Sequence, residues 1–167
     1  MKFILIPVLL FLSCIGIGFK ETTPEQQLFQ ATSDGNIKKA KQLISEGANI
    51  NESRALIVAS YRGRTELVNL LISYGADVNV KSDVYETTPL FAASEHGGRT
   101  DIMKILIQAG ADPNFKDQYG RTPLYFAYRR KNAEEIRILK QAGAKELNLK
   151  QTRDQCKYCI GCMCPVE

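Results

Sequence analysis

Four of the 5 cysteines of this 167-residue chain are gathered near its end, as Cys156-Lys157-Tyr158-Cys159-Ile160-Gly161-Cys162-Met163-Cys164-Pro165. Thiols this close together allow three kinds of chemistry. As thiolates they can surround a Zn²⁺ ion tetrahedrally, because two pairs carry the two-residue spacing such sites use. In an oxidising compartment they can close into two disulfides, with three possible pairings. Left reduced, they can exchange. The spacing also comes near the C-x2-C-x2-C-x3-C-P run that holds an iron–sulfur cluster, but the last gap is shortened to a single residue. No cofactor is expected beyond a metal at Cys156, Cys159, Cys162 and Cys164.

Catalytic chemistry finds little elsewhere. His96 is the sole histidine, and a histidine base needs a nucleophile and an orienting group within reach. The sequence offers neither beside it. Carboxylates are scattered singly, and no glycine-rich loop has phosphate-binding spacing. The chain therefore reads as non-enzymatic. A net charge of +4 is too mild to imply a nucleic-acid partner. The positive charge is nonetheless uneven, at +5 from Phe115 onward and −1 before it.

The amino-terminal residues have the layout of an export signal. Lys2 precedes an apolar stretch from Phe3 to Leu12, shorter than the roughly 20 residues of a membrane span. Gly16-Ile17-Gly18 offers a small-x-small cleavage pattern before Phe19. Phe11-Leu12-Ser13-Cys14 resembles a bacterial lipobox, in which Cys14 would carry a lipid and begin the mature chain. The expected segments are a signal over 1–18, or 1–13 if Cys14 is lipidated, then a polar tether over 19–24. An exported, periplasmic, envelope-anchored or secreted location follows, with membrane contact only through a lipid or an uncleaved signal.

Between leader and tail, residues 25–150 are built from a recurring phrase. Gly47-Ala48-Asn49-Ile50-Asn51 returns as Gly75-Ala76-Asp77-Val78-Asn79, as Gly110-Ala111-Asp112-Pro113-Asn114 and, degraded, as Gly143-Ala144-Lys145, at intervals of 28, 35 and 33 residues. A second phrase, Thr88-Pro89-Leu90-Phe91-Ala92-Ala93, recurs as Thr122-Pro123-Leu124-Tyr125-Phe126-Ala127 and more loosely at Ala55-Leu56-Ile57-Val58-Ala59 and Leu28-Phe29-Gln30-Ala31. Each unit reads as two short helices. Thr88 can cap the first, with Pro89 at the opening position where its missing N–H is no loss. Gly97-Gly98 ends it, Thr100 or Asp101 can cap the second, and Gly110 closes that one. Leu28, Phe29 and Ala31 form the first unit's inner apolar face. In the last unit Glu135 and Lys140 replace apolar residues, predicting a charged outward face.

This pattern resembles the ankyrin repeat, a unit of about 33 residues with the motif Thr-Pro-Leu-His-x-Ala. The resemblance implies an all-α solenoid of about four helix-turn-helix units with short hairpin fingers between them. Phe91 and Tyr125 replace the usual histidine. Ser82 and one of Gly97 and Gly98 are single-residue insertions, the link from Gly47 to Arg54 is too short for a finger, and Glu86 stands where Gly120 turns the next finger.

The resemblance also implies what the module does. Ankyrin arrays usually bind another protein through finger tips and exposed inner-helix residues. Carried over by position, these are Tyr85 and Thr87 with Gln118, Tyr119 and Arg121 on the fingers, and Tyr61, Arg62, Glu95, His96, Arg129 and Arg130 on the helices. Tyrosine and arginine are frequent interface anchors. The run toward basic residues predicts an acidic patch on the partner near unit four. The alternative reading makes the cysteine tail, 151–167, a metal-binding or thiol-redox module on a passive scaffold.

Overall fold

A computed structural model describes residues 22–52, 54–82 and 86–146. The leader with Cys14, the finger tip carrying Tyr85, and the cysteine tail lie outside the described residues. Within them are eight helices in four pairs. Inner helices α1 (Pro24–Asp34), α3 (Ala55–Arg62), α5 (Pro89–His96) and α7 (Pro123–Arg129) alternate with outer helices α2 (Ile37–Ser45), α4 (Thr65–Ser73), α6 (Thr100–Gln108) and α8 (Ala133–Gln141). Each inner helix packs on its own outer partner and on the inner helices of neighbouring units, most extensively between α3 and α5.

Local chemistry sets the starts of the inner helices. The Thr88 and Thr122 hydroxyls accept from the Phe91 and Tyr125 backbone N–H groups, with proline following each. Thr23 and Pro24, read as tether, begin α1: Thr23 forms a reciprocal capping box with Gln26. The outer helices differ. Neither Thr100 nor Asp101 caps α6. Its N-cap is Arg99, which makes no side-chain cap bond, because a guanidinium has no acceptor to offer the first N–H groups; the side chain lies across the preceding unit's glycine turn instead.

One core runs the length of the stack, through Leu28, Leu56, Leu90 and Leu124 on the inner helices and Leu43, Leu71, Leu106 and Leu139 on the outer ones. At each of these positions a neighbouring unit helps cover what one helical pair would leave exposed. The same crowding explains Thr32, Ser60 and Ser94, all fully buried. Only a small residue fits between successive inner helices there. Each hydroxyl satisfies itself on a carbonyl of its own helix, at Leu28, Leu56 and Phe91.

Asparagine side chains tie the units together along the other edge. The Asn79 Oδ1 accepts from the Asp112 N–H at 2.8 Å while its Nδ2 donates to the Gly110 carbonyl at 3.1 Å. Asn114 repeats both bonds to Lys145 and Gly143. Asn51 makes only the first, to Asp77 at 3.0 Å.

Two expectations about exposure are corrected. Phe29 is 41% exposed rather than packed, because no earlier inner helix among the described residues covers it. Glu135 is fully buried rather than outward. Its Oε2 accepts from Arg130 at 2.8 Å and its Oε1 from the Gly98 N–H at 3.2 Å. The extra glycine explains this arrangement. At the ends of α1 and α3 the chain turns back and its N–H groups cap the helix. Gly97 instead has φ 74° and ψ 165°, which carries the chain away and leaves the Ser94 and Glu95 carbonyls open. Arg130 reaches across from unit four and donates to both. Its side chain lies where a Gly97 Cβ would meet Nε at 2.6 Å, so both the turn and the arginine require glycine there.

Candidate partner-binding groove

The expected binding face is a groove of about 880 Å³, lined by inner helices on one side and loop residues on the other. Phe29 and Ser33 come from α1, Ile57, Val58, Tyr61 and Arg62 from α3, and Phe91, Ala92 and Glu95 from α5. Across from them stand Ser82, Thr87 and the finger Asp117–Arg121. Arg54 lies at the entrance to α3 and also borders a neighbouring hollow of about 630 Å³ beside α1.

The unit-four finger is held by one carboxylate. Asp117 accepts from the Tyr119 and Arg121 N–H groups at 3.0 and 2.8 Å through Oδ1, and from Arg121 Nε at 2.6 Å through Oδ2. Gly120 supplies the positive φ, 71°, that the turn needs. In the preceding finger Glu86 takes φ 42°, the strained non-glycine turn that its position foretold. The Arg121 guanidinium lies over the Tyr119 and Phe126 rings, 5.0 and 5.2 Å from their centroids. Burial pulls the arginine pKa down, but the hydrogen bond and charge of Asp117, with Glu95 and Tyr125 behind it, raise it above the ordinary value. Phe91, Phe126 and Phe115 stack edge to face beneath.

The structure sorts the residues carried over by position into three groups. Tyr61, Arg62, Glu95, Gln118, Tyr119 and Arg121 line the groove together. His96 stands beside it, its ring centroid 4.9 Å from that of Tyr61. Thr87 also lines it but is only 8% exposed, because it pairs with Ser82 across the base of the finger. Arg129 lies outside the lining, and Arg130 is committed to the Ser94 and Glu95 carbonyls and to Glu135.

Sequence reasoning missed Arg54 and Asp117, and it did not place Phe29, Ile57 or Phe91 on the binding face. A signal was available for the last three. Phe29, Ile57, Phe91 and Tyr125 occupy one register position in the four units, a continuous stripe of large side chains where histidine is usual. The stripe emerges from 2% exposure at Phe91 and 7% at Ile57 to 41% at Phe29, where the stack begins.

Arginines near the groove are paired differently at its two ends. Near unit four, Arg121 is paired with Asp117 and Arg130 with Glu135. Near unit two, Arg54 and Arg62 face no ion-pair partner among the described residues. Among the described residues no cluster of histidine, cysteine, aspartate and glutamate could hold a metal, and no helix is long and apolar enough to cross a membrane.

Comparison with known proteins agrees with this geometry. The family model described as ankyrin repeats, three copies, matches residues 28–117 and 90–157. The human protein "Ankyrin repeat and SOCS box protein 6" is 33% identical over 122 residues, covering 66% of this chain and 29% of its own length. Its Pongo abelii counterpart gives the same identity and coverage. The mouse "Inactive serine/threonine-protein kinase TEX14" is 32% identical over 84 residues, covering 47% of this chain and 6% of its own length. The chain thus spans less than a third of the length of these relatives. It belongs to the ankyrin-repeat family, whose arrays are protein–protein interaction scaffolds.

Proposed function

We propose that this ankyrin-repeat chain is a non-enzymatic binding module that seats another protein in the groove between its inner helices and its fingers. One observation carries the reading. Three of the four large hydrophobic side chains most exposed among the described residues, Phe29 at 41%, Tyr61 at 43% and Tyr119 at 51%, stand in this one groove. Aromatic side chains clustered with arginine at a concave site are what a protein interface uses as anchors. The leader pattern adds that the module acts after export, in the envelope or outside the cell, with a lipid on Cys14 as one mode of retention.

Replacing Tyr61 and Tyr119 together by alanine tests the groove. The pair variant is expected to lose the protein that co-purifies with the native chain while keeping its helical circular dichroism. Undiminished co-purification refutes the assignment.

A second reading rests on the four cysteines of the tail, which the repeats do not explain. In it, Cys156, Cys159, Cys162 and Cys164 bind a metal or exchange thiols. Metal analysis and thiol titration with and without reductant decide it: stoichiometric zinc favours this reading, and four thiols released only by reduction, without metal, leave the tail a structural role.

A further inference from the structure

The groove has two unlike ends. Over units three and four it is fenced by fingers, and its charges are matched internally, Arg121 by Asp117 with Glu95 close enough to act on the same arginine. Over units one and two the link from Gly47 to Arg54 is too short for a finger, so the fence has a gap. Arg54 stands in that gap with φ 54°, a conformation that a side chain other than glycine, asparagine or aspartate rarely adopts. Strain of this kind is found where the surrounding structure over-determines a functional position. Arg62 stands at the opposite end of α3, on its last turn, roughly 12 Å along the helix axis from Arg54 at 1.5 Å per residue. Neither guanidinium has an ion-pair partner among the described residues. The groove floor next to them is apolar, made by Ile57, Val58 and Phe91, with the half-exposed rings of Phe29 and Tyr61 at its edges.

From this arrangement we infer that the groove takes an extended acidic segment of a partner protein, which lays one carboxylate side chain on Arg54 and a second on Arg62, with an apolar side chain between them on Ile57, Val58 and Phe91. The segment leaves the groove through the missing finger. The inference rests on the groove reading above and adds the chemistry of the occupant and the end at which it is recognised. Arginine suits this task because its planar fork meets a carboxylate with two parallel hydrogen bonds. The interaction depends on charge complementarity, so it weakens as salt screens the exposed pair.

A random dodecapeptide display library panned against the native chain tests this. Selected peptides are expected to carry aspartate or glutamate within two residues of an apolar or aromatic side chain. A synthetic peptide of the most enriched sequence is then titrated against variants whose helicity is first checked by circular dichroism. Arg54→Gln with Arg62→Gln is expected to weaken binding more than tenfold and to flatten its salt dependence. Arg54→Lys with Arg62→Lys, which keeps the charge but not the fork, is expected to fall between the unaltered chain and the glutamine pair, and Arg129→Gln stays within twofold. Peptides without acidic residues, or an affinity that Arg54→Gln with Arg62→Gln leaves unchanged, overturn the inference. If such peptides still lose affinity to Tyr61→Ala with Tyr119→Ala, the groove reading survives alone. If no peptide is enriched, or binding ignores both pairs of variants, the groove reading falls as well.

Discussion

The junction between units three and four and the junction between units one and two use the same backbone unit but are held very differently. At the first, Arg130 caps α5, Glu135 neutralises it from full burial, the Asn114 amide makes two bonds, and a finger closes over an edge-to-face aromatic cluster. At the second, α1 caps itself through backbone N–H groups, Arg64 lies over Gly35, Asn51 makes a single side-chain bond across the edge, and the finger is missing. The apolar core is continuous through both. What changes along the stack is the polar layer, and the end with fewer polar ties is the end where the groove opens and where Arg54 and Arg62 have no ion-pair partner among the described residues. Regions with fewer ties open more cheaply, which suits a surface that must admit a partner.

The comparison breaks first if the tightly held junction proves dispensable. Glu135→Ala leaves Arg130 half-paired and the Gly98 N–H unmet, and should cost about 3 kcal/mol in urea unfolding, the low end for a broken buried pair because Arg130 reaches solvent. A loss below about 1 kcal/mol would show that the ion pair does not hold units three and four. A smaller effect sharpens the gradient along the edge. Asn114→Ala removes two hydrogen bonds and Asn51→Ala one, so their costs should be about 2 and 1 kcal/mol. Equal costs would remove the difference between the two ends.

The smallest effect concerns acid. The Glu25 carboxyl is held below its ordinary value of 4.5 by backbone hydrogen bonds, first from its own N–H and then from Asn49, with Thr23 adding to them. A lowered folded pKa contributes stability above the unfolded value and loses it as pH falls through the folded value. The protection of the Asn49 amide against hydrogen exchange should therefore drop as the solution is acidified below 4.5, and Glu25→Ala should abolish that dependence. An Asn49 amide indifferent to pH in the unaltered chain would show that Glu25 does not tie the first unit down.

The fold was legible because its signals are local. Thr88-Pro89-Leu90 and Thr122-Pro123-Leu124 carry their own caps, and each Gly-Ala phrase carries its own turn, so a few adjacent residues announce each element. The Arg130–Glu135 pair was not legible. Glu135 alone looks like a surface residue on an amphipathic helix, and only the aberrant exit from α5 at Gly97 creates the carbonyls that draw Arg130 inward and bury its partner. The groove was legible in part. Tyr61, Arg62, Glu95, Gln118, Tyr119 and Arg121 transfer by position because the inner helices and the finger that carry them are complete. Arg54 had no position to transfer from, since it stands where a finger is absent. Phe29 was misread because sequence periodicity cannot tell a face covered by a neighbour from the same face at the end of a stack.

The most direct test is photo-cross-linking in the native setting, with a benzophenone amino acid placed singly at Tyr61, Tyr119 or Tyr74. Tyr74 is comparably exposed, at 49%, but lies at the end of outer helix α4, away from the groove. The account predicts that the first two positions yield the same protein adduct and that Tyr74 yields none. An adduct at Tyr74 without one at Tyr61 and Tyr119 would contradict it.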